Sequence, residues 1–252
     1  MKKVNIIIPT KDRLKLLERA VDSVINQTYQ NWHLFIINDS KNELKFKNSD
    51  SRISVLNNFN KPGANGARNT GIDKSCGDYI AFLDDDDTWH PDKLLKQVEM
   101  MDTSDAIMCY TGRNIIFKNK KKIIKRYSYH SKIISSKITL YFHNYIGTTS
   151  SIIIKNNKNS NIAFDEDLYS LQDYDFYFKI VQKGKIIGMP DALVNYYFDK
   201  SLKHTSANIY YMIFSMWKIF LKQRKHYRLI IIISIISTIV QKFIRNLFYR
   251  FI

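Results

Sequence analysis

The sequence contains little cysteine, proline or glycine. Its two cysteines, Cys76 and Cys109, are too few for a disulfide framework and lack the spacing of metal ligands, which favours a reducing compartment. Four prolines and eight glycines among 252 residues, of which 45% are hydrophobic, argue against a disordered or fibrous protein. A chain of this length can bury one large core.

Long hydrophobic runs are also missing. The longest uncharged apolar stretch, residues 229–240, would span about 18 Å as a helix, whereas the hydrocarbon core of a bilayer is about 30 Å thick. The apolar run at residues 4–8 is too short for the core of a signal peptide. We therefore expect no transmembrane span, and we expect the protein to lie in the cytoplasm.

Acidic residues are absent from the last part of the chain. The formal charge is +16, from 39 Lys and Arg against 23 Asp and Glu. Residues 200–252 hold ten Lys or Arg and no acid, so they carry +10, and residues 1–199 carry only +6. Such an excess predicts a polyanionic partner, which could be nucleic acid, anionic lipid or a phosphate-bearing substrate.

Hydrophobic periodicity predicts alternating strands and helices in the first hundred residues. The spacing predicts strands at residues 4–9, 33–37, 53–56 and 79–83, and helices at 14–26 and 91–101. Residues 63–68 are expected to form a Gly-punctuated loop that runs into a helix ending at residue 75. This alternation is typical of an α/β protein with a mostly parallel, doubly wound sheet and helices on both faces.

Later residues predict shorter elements and then a helical extension. Strands are expected at residues 106–110, 115–117, 122–127, 150–155 and 193–198, and a helix at 173–183. After residue 206 the strand patterns stop, and apolar residues recur only at helical spacing. We expect one domain over residues 1–204, with halves at about 1–104 and 105–204, followed by a basic amphipathic helical tail over 205–252.

Four consecutive aspartates, Asp84 to Asp87, follow the predicted strand at 79–83. In open α/β sheets ligands bind beyond the carboxyl ends of the strands, and adjacent carboxylates repel one another unless a cation relieves them. Hard oxygen ligands favour Mg²⁺ or Mn²⁺, with substrate phosphates completing the shell. The alternative is an acidic turn that caps the following helix.

Two common nucleotide-binding motifs do not occur. No Gly-x-Gly-x-x-Gly follows the first strand, and no Gly-x-x-x-x-Gly-Lys-[Ser/Thr] occurs anywhere. The sequence therefore disfavours a Rossmann dehydrogenase and a P-loop NTPase.

Four segments in order resemble the family 2 glycosyltransferases. They are VNIIIPT (residues 4–10) with the segment to residue 29, NDS (38–40), NGARNTG (65–71) and GDYIAFLDDDDTW (77–89). The resemblance implies a GT-A fold and inverting transfer of a sugar from a nucleotide diphosphate donor, here a UDP-sugar. Asn38 stands where that family usually has an acid.

The resemblance also implies roles for individual residues. By this resemblance the donor would be bound by residues within or next to these segments, namely Pro9, Thr10, Asp12, Asp39, Arg68, Asp84 and Asp85. Asp86 would hold the divalent metal, Mn²⁺ or Mg²⁺, and His204 on a C-terminal loop would reach the metal or the diphosphate. Lys203 is an alternative to His204 as the diphosphate contact. Trp89 either contacts the acceptor or packs.

An inverting displacement needs one general base to deprotonate the acceptor hydroxyl. By resemblance the base is Asp173, within LQDYD (residues 171–175), with Asp175 as its competitor. A helix N-terminus would keep Asp173 a weak base unless burial offsets that effect. The alternative is that Asp173 only caps its helix.

The basic tail mixes Trp217, Tyr227 and several phenylalanines with Lys and Arg, which is typical of a helix at an anionic membrane surface. The alternatives are helices packed on the body, or a homodimer interface. We therefore expect a metal-dependent glycosyltransferase bound peripherally to the plasma membrane, with a lipid-linked saccharide acceptor from bacterial surface polysaccharide or lipopolysaccharide O-antigen synthesis. A nucleic-acid-binding protein, which we do not expect, and an idle GT-A scaffold are the competing hypotheses.

Overall fold

The computed structural model describes residues 1–47, 49–117, 120–126, 140, 144–157, 162–198 and 209–222. Its first half contains four strands and two helices, and a loop without a helix joins the second strand to the third. The strands are β1 (Val4–Thr10), β2 (Trp32–Asn38), β3 (Ile53–Asn57) and β4 (Tyr79–Phe82), and the helices are α1 (Leu14–Ile25) and α2 (Ala64–Lys74). All three pairings among these strands are parallel.

Within the described residues, the second half adds five strands and three further helices. In chain order they are β5 (Thr88–Trp89), α3 (Lys93–Asp102), β6 (Met108–Phe117), β7 (Lys120–Arg126), a 3₁₀ turn (Thr149–Ser151), β8 (Ile152–Lys155), α4 (Gln172–Val181), β9 (Ile186–Phe198) and α5 (Ile209–Lys222). The strands form one sheet in the order β3-β2-β1-β4-β8-β6-β9-β5, with β7 on β6.

The sheet is mixed in its second half. β6 pairs parallel with β9, whereas β8 pairs antiparallel with both β4 and β6. β6 is one strand where the sequence pattern predicts two, because its pairing with β9 continues through a register shift at Gly112. For the same reason β9 begins at Ile186, seven residues before the predicted strand. Backbone pairing thus bridges breaks in the hydrophobic pattern.

Two hydrophobic layers cover the two faces of the sheet, as expected for a doubly wound fold. One layer packs α1 and α3 against the sheet through residues such as Val21, Leu94 and Val98. The other contains residues of α2, α4 and α5, among them Phe176 and Ile219. This confirms the predicted α/β class with helices on both faces.

Helix α5 is attached to the body by one face. Ser215 is buried and accepts a hydrogen bond from the Ser170 N–H at 3.2 Å, and Lys218 donates to the Asp167 carbonyl at 3.2 Å. Phe214 and Trp217 remain exposed. In the parts of the chain that the structure describes, no helix is both long and apolar enough to cross a membrane.

Candidate active site

The carboxyl ends of the adjacent parallel strands β1 and β4 bring Thr10 to the aspartate run. Thr10 is 3% exposed, and its hydroxyl donates to Asp85 Oδ2 at 2.7 Å. The Arg13 guanidinium, at the start of α1, forms an ion pair with Asp85 and a second one with Asp86 at 3.3 Å. The Nη2 of Arg19 donates to the Asp86 carbonyl at 2.6 Å.

The four aspartates alternate between exposed and buried. The side chains of Asp84 and Asp86 are 27% and 26% exposed, whereas Asp85 and Asp87 are almost completely buried. Burial raises the pKa of Asp85 to about 6, against the opposing effects of Arg13 and the Thr10 hydroxyl. Burial also raises the pKa of Asp87 well above its usual value. Two carboxylates are therefore left to face an incoming ligand.

Arg68 reaches the aspartate run from α2. Its guanidinium donates to Asp84 Oδ1 at 2.5 Å, and its side chain is 10% exposed. Helix α2 lies close to the preceding loop, because a Cβ built on Gly66 would stand only 1.9 Å from the Lys61 carbonyl oxygen. A residue without a side chain at position 66 thus allows α2 to place Arg68 at the site.

The other residues predicted to bind the donor lie beside this group. Both oxygens of Asp39 accept from the Gly63 N–H, at 3.0 and 2.9 Å, so Asp39 holds the turn that leads into α2. Asp12 has a left-handed backbone with φ 54° and accepts from the Ser40 hydroxyl at 2.7 Å. Pro9 is buried within β1 opposite Ile37.

Asp173 lies in the first turn of α4, after Leu171, which adopts a left-handed conformation with φ 58°. Asn144 donates its side-chain N–H to Asp173 Oδ2 at 3.3 Å. Removal from water raises the pKa of Asp173, while Arg68 and Arg113 act in the opposite direction. Burial therefore outweighs the backbone N–H of Tyr174 that the helix terminus supplies at 2.8 Å.

Asp175 faces elsewhere. It is 2% exposed and pairs with Lys179, one turn along α4, at 2.8 Å. The charges that influence the pKa of Asp173, by contrast, include Arg68 and Asp84 of the aspartate site. Asp175 is thus engaged by Lys179, and the charges of Arg68 and Asp84 act on Asp173; which of the two is the base stays a prediction.

Two residues with predicted roles require comment. Trp89 packs: it is 4% exposed, and its indole N–H donates to the Ser150 carbonyl at 2.9 Å. His204 and the alternative Lys203 lie outside the described residues. The binding and catalytic roles of the other residues stay predictions.

The sequence patterns assign no role to five residues that the fold brings to this site. They are Arg13, Arg113, Asn144, Thr149 and Ser150. Arg13 lies inside a recognised segment, so it could have been proposed. The other four lie in residues 110–150, which match no motif and have irregular periodicity, so their proximity follows only from the tertiary structure.

The described residues do not by themselves make up a metal site. Within the described ranges, no three His, Cys, Asp or Glu side chains lie close enough together to hold an ion by themselves. The two partly exposed carboxylates, Asp84 and Asp86, are nevertheless hard oxygen donors. They fit a cation that takes one or two carboxylates and completes its shell with phosphate oxygens.

Comparison with known proteins identifies the family to which the chain belongs. Residues 5–172 match the family model for glycosyl transferase family 2. Two Escherichia coli relatives, WfgD and WfaP, are UDP-Glc:α-D-GlcNAc-diphosphoundecaprenol β-1,3-glucosyltransferases. WfgD is 37% identical over 54% of this chain and 54% of its own length, and WfaP is 30% identical over 82% and 81%.

Among solved structures, residues 1–349 of Staphylococcus aureus TarS in complex with UDP-GlcNAc superpose with a TM-score of 0.72. This comparison covers 93% of the chain and 72% of TarS 1–349 at 17% identity, and it supports the fold alone. The fold is thus of the GT-A type, and the family match covers more than half of the chain. The chain belongs to glycosyl transferase family 2.

Proposed function

We propose that this protein is an inverting, metal-dependent glycosyltransferase. It transfers a hexose or N-acetylhexosamine from a UDP-sugar to a hydroxyl of a saccharide acceptor, in the synthesis of a bacterial surface polysaccharide. The observation that carries this proposal is the clustering of Thr10, Arg68, Asp84 and Asp86 at the carboxyl ends of β1 and β4. Ligands of open α/β sheets bind at such an edge.

The donor is the part of the proposal with the most structural support. Arg68 offers a rigidly held guanidinium next to Asp84, and such a group suits the oxygens of a diphosphate or ribose. The relatives WfgD and WfaP use UDP-glucose, which favours a uridine nucleotide here. The sugar itself would be recognised by residues to which no role is assigned.

Asp86 and Asp84 would hold a divalent cation, Mn²⁺ or Mg²⁺, together with the diphosphate. When bound, such an ion neutralises the charge that develops on the departing nucleotide diphosphate. Arg13 and Arg68 place further positive charge against the same carboxylates, at 3.3 Å from Asp86 and 2.5 Å from Asp84. In the absence of donor, these arginines reduce the repulsion within the aspartate run.

Asp173 acts as the general base. Its carboxylate takes the proton of the acceptor hydroxyl, the hydroxyl oxygen bonds to the anomeric carbon, and the bond from that carbon to the diphosphate oxygen breaks with its electron pair leaving on UDP. A raised pKa makes a carboxylate a better base near neutral pH, and burial raises the pKa of Asp173. Asn144 orients the carboxylate through Oδ2.

The acceptor would be lipid-linked and the protein would lie on the inner face of the plasma membrane. Both E. coli relatives act on a diphosphoundecaprenol saccharide. Helix α5 offers Phe214, Trp217 and Leu221 on its exposed side, and Tyr169 of the body lies next to Tyr211 with ring centroids 5.4 Å apart. Aromatic side chains beside the basic, acid-free residues 200–252 suit an anionic lipid surface.

A turnover assay tests the proposed chemistry. The protein is incubated with Mn²⁺, a panel of UDP-sugars and a diphosphate-lipid saccharide, and released UDP and glycosylated lipid are measured. Asp173→Asn should lower kcat by at least about a hundredfold, the effect of removing a general base, while UDP affinity stays within about twofold. Asp175→Asn is the matched control, since it removes the same charge one half-turn away.

Two outcomes would contradict the proposal. No release of UDP with any sugar would reject the glycosyltransferase function and favour an idle scaffold, provided that UDP still binds. Equal loss of turnover in Asp173→Asn and Asp175→Asn, with unchanged UDP affinity, would reject Asp173 as the base.

A further inference from the structure

The 3₁₀ turn Thr149–Ser151 directly precedes β8 and contacts the aspartate run that follows the neighbouring strand β4. The Ser150 hydroxyl accepts from the Asp84 backbone N–H at 3.1 Å and donates to Asp87 Oδ2 at 2.6 Å. The neighbouring Thr149 hydroxyl lies 3.2 and 3.3 Å from the two carboxylate oxygens of Asp84. One short turn therefore touches both the first and the last aspartate of the run.

The Ser150 hydroxyl donates the hydrogen bond that holds the buried carboxylate of Asp87. Asp87 is 1% exposed, and its Oδ1 has no hydrogen-bond partner in the described part of the chain. A buried carboxylate without a donor is costly, so the Ser150 hydroxyl fixes where Asp87 points. On the other side, Thr10 and Arg13 fix the buried Asp85.

The two buried aspartates determine the direction of the two exposed ones. Because buried and exposed side chains alternate along the run, holding Asp85 and Asp87 inward leaves Asp84 and Asp86 outward. The Ser150 contact to the Asp84 backbone fixes the same turn at its beginning. Ser150 thus helps to orient the carboxylates proposed to meet the donor, and it does so through its contacts with Asp84 and Asp87.

The turn itself is held by a buried platform on α3 and β5. The Trp89 indole N–H donates to the Ser150 carbonyl at 2.9 Å, and Gln97 Nε2 donates to the Ser151 carbonyl at 3.0 Å. Lys93 donates to Gln97 Oε1 at 2.7 Å, and its ammonium lies 3.9 Å from the centroid of the Trp89 ring. These contacts leave the turn little freedom to move.

The segment just before the turn reaches the proposed base. Asn144 donates to Asp173 Oδ2 at 3.3 Å and to the Gly147 carbonyl at 3.2 Å. Gly147 has φ 109°, and a Cβ there would lie 2.4 Å from Arg113 Nη1, so the backbone packs directly against this guanidinium. Residues 144–151 therefore contact both ends of the candidate active site.

We propose that Ser150, in the turn Thr149–Ser151, is the positioning residue that holds the aspartate run ready for the metal and diphosphate. This inference rests on the proposed function, because it assigns a role toward the donor site. Ser150 does not touch the substrate; it acts through Asp84 and Asp87. Partners of this kind behind metal-binding carboxylates affect metal affinity by about 10- to 100-fold.

Adjacent serines provide a matched test. Ser150 and Ser151 are both completely buried, but the Ser151 hydroxyl donates to the Thr148 carbonyl at 2.6 Å and contacts no aspartate. Ser150→Ala and Ser151→Ala are compared by thermal unfolding and by calorimetric titration with UDP in the presence of Mn²⁺. We expect similar losses of Tm, but a loss of about tenfold or more in Mn²⁺-dependent UDP affinity only for Ser150→Ala.

Equal UDP affinities of the two variants would overturn the inference. If Ser150→Ala does not fold, Ser150→Cys keeps nearly the same volume with a weaker donor, and it should lose UDP affinity relative to Ser151→Cys; equal affinities would again overturn the inference. Failure of the proposed function is a different result, because the unaltered protein would then release no UDP from any UDP-sugar, even where it binds UDP.

Discussion

Lys93 carries its ammonium group in a completely buried position at the start of α3. The ammonium contacts the Gln97 amide oxygen and the face of Trp89, and burial lowers the pKa of Lys93 to about 7. The unfolded chain keeps the proton up to a pKa of about 10.5, whereas the folded chain releases it above about pH 7. The unfolding free energy should therefore rise with pH across this window.

The variant Lys93→Met removes this proton linkage. It should be more stable than the unaltered protein near pH 7, and this advantage should shrink by about 1.4 kcal/mol for each pH unit between pH 7.5 and 9.5. Urea unfolding at several pH values measures it. Lys96→Met on the same helix is the control. Because Asp191 raises the pKa of Lys96, the difference in unfolding free energy between this variant and the unaltered protein should stay constant in this window. The prediction would be contradicted if the unfolding free energies of both variants ran parallel to that of the unaltered protein as the pH rises.

At the scale of an element, α2 depends on a close approach of two backbones. It is a helix of mostly polar residues that is nevertheless buried from Asn65 to Gly71, and it carries Arg68 to Asp84. Its side chains are fixed by the segment before α4: Asn65 donates to the Asp165 carbonyl at 2.8 Å and Asn69 donates to the Phe164 carbonyl at 3.0 Å. Hydrogen bonds, rather than an apolar face, therefore determine where α2 lies.

Gly66→Ala should displace this helix. The added Cβ would lie 1.9 Å from the Lys61 carbonyl oxygen, and backbone cannot move as cheaply as a side-chain end. We expect a loss of about 2–4 kcal/mol in unfolding free energy, together with weaker UDP binding, because Arg68 moves with the helix. Lys74→Ala, at the exposed end of α2, should change the unfolding free energy by less than about 0.5 kcal/mol. Equal, small effects of both variants would count against this account of α2.

At the scale of the whole molecule, charge and exposed aromatic residues are concentrated at the C-terminal end. Residues 200–252 supply ten basic and no acidic residues, and the exposed side of α5 supplies Phe214 and Trp217. Because basic groups and aromatic rings act together at an anionic interface, removing the rings should weaken binding even though the charge is unchanged.

Vesicle sedimentation measures this contribution. The protein should bind phosphatidylglycerol vesicles and not phosphatidylcholine vesicles, and the double variant Phe214→Ser/Trp217→Ser should lower the affinity about tenfold or more. Phe59→Ser, at an exposed aromatic residue of the first half, should have no effect. If the double variant binds as tightly as the unaltered protein, α5 does not contact the lipid surface. Salt-steep binding to DNA with no vesicle binding would favour the nucleic-acid alternative.

The first half of the fold could be predicted from the sequence, because β1 to β4 are continuous apolar runs bounded by turn residues. In the second half, β6 contains Gly112 and Arg113, and β9 contains Gly188 and Pro190, so periodicity could not reveal two long paired strands. The pairing itself is a non-local property.

The site divides in a similar way. Asp84, Asp86 and Arg68 lie in segments whose order along the chain carries the resemblance, and the fold brings Arg68 and Asp84 together. Ser150 and Asn144 meet the site through contacts between residues far apart in sequence, as in the pairing of Ser150 with Asp87. No local pattern marks a serine that binds a distant, buried carboxylate.

The position of β4 in the sheet has a consequence for the synthesis of the protein. β4 pairs with β1 on one side and with β8 on the other, and Ile153 and Ile154 of β8 face Ala81 and Ile80. During translation the first four strands leave the ribosome before β8 exists, so an apolar strand edge stays open until residues 152–155 emerge. An open edge of this kind invites pairing with other chains, so the nascent protein depends on chaperones or on rapid completion for its solubility.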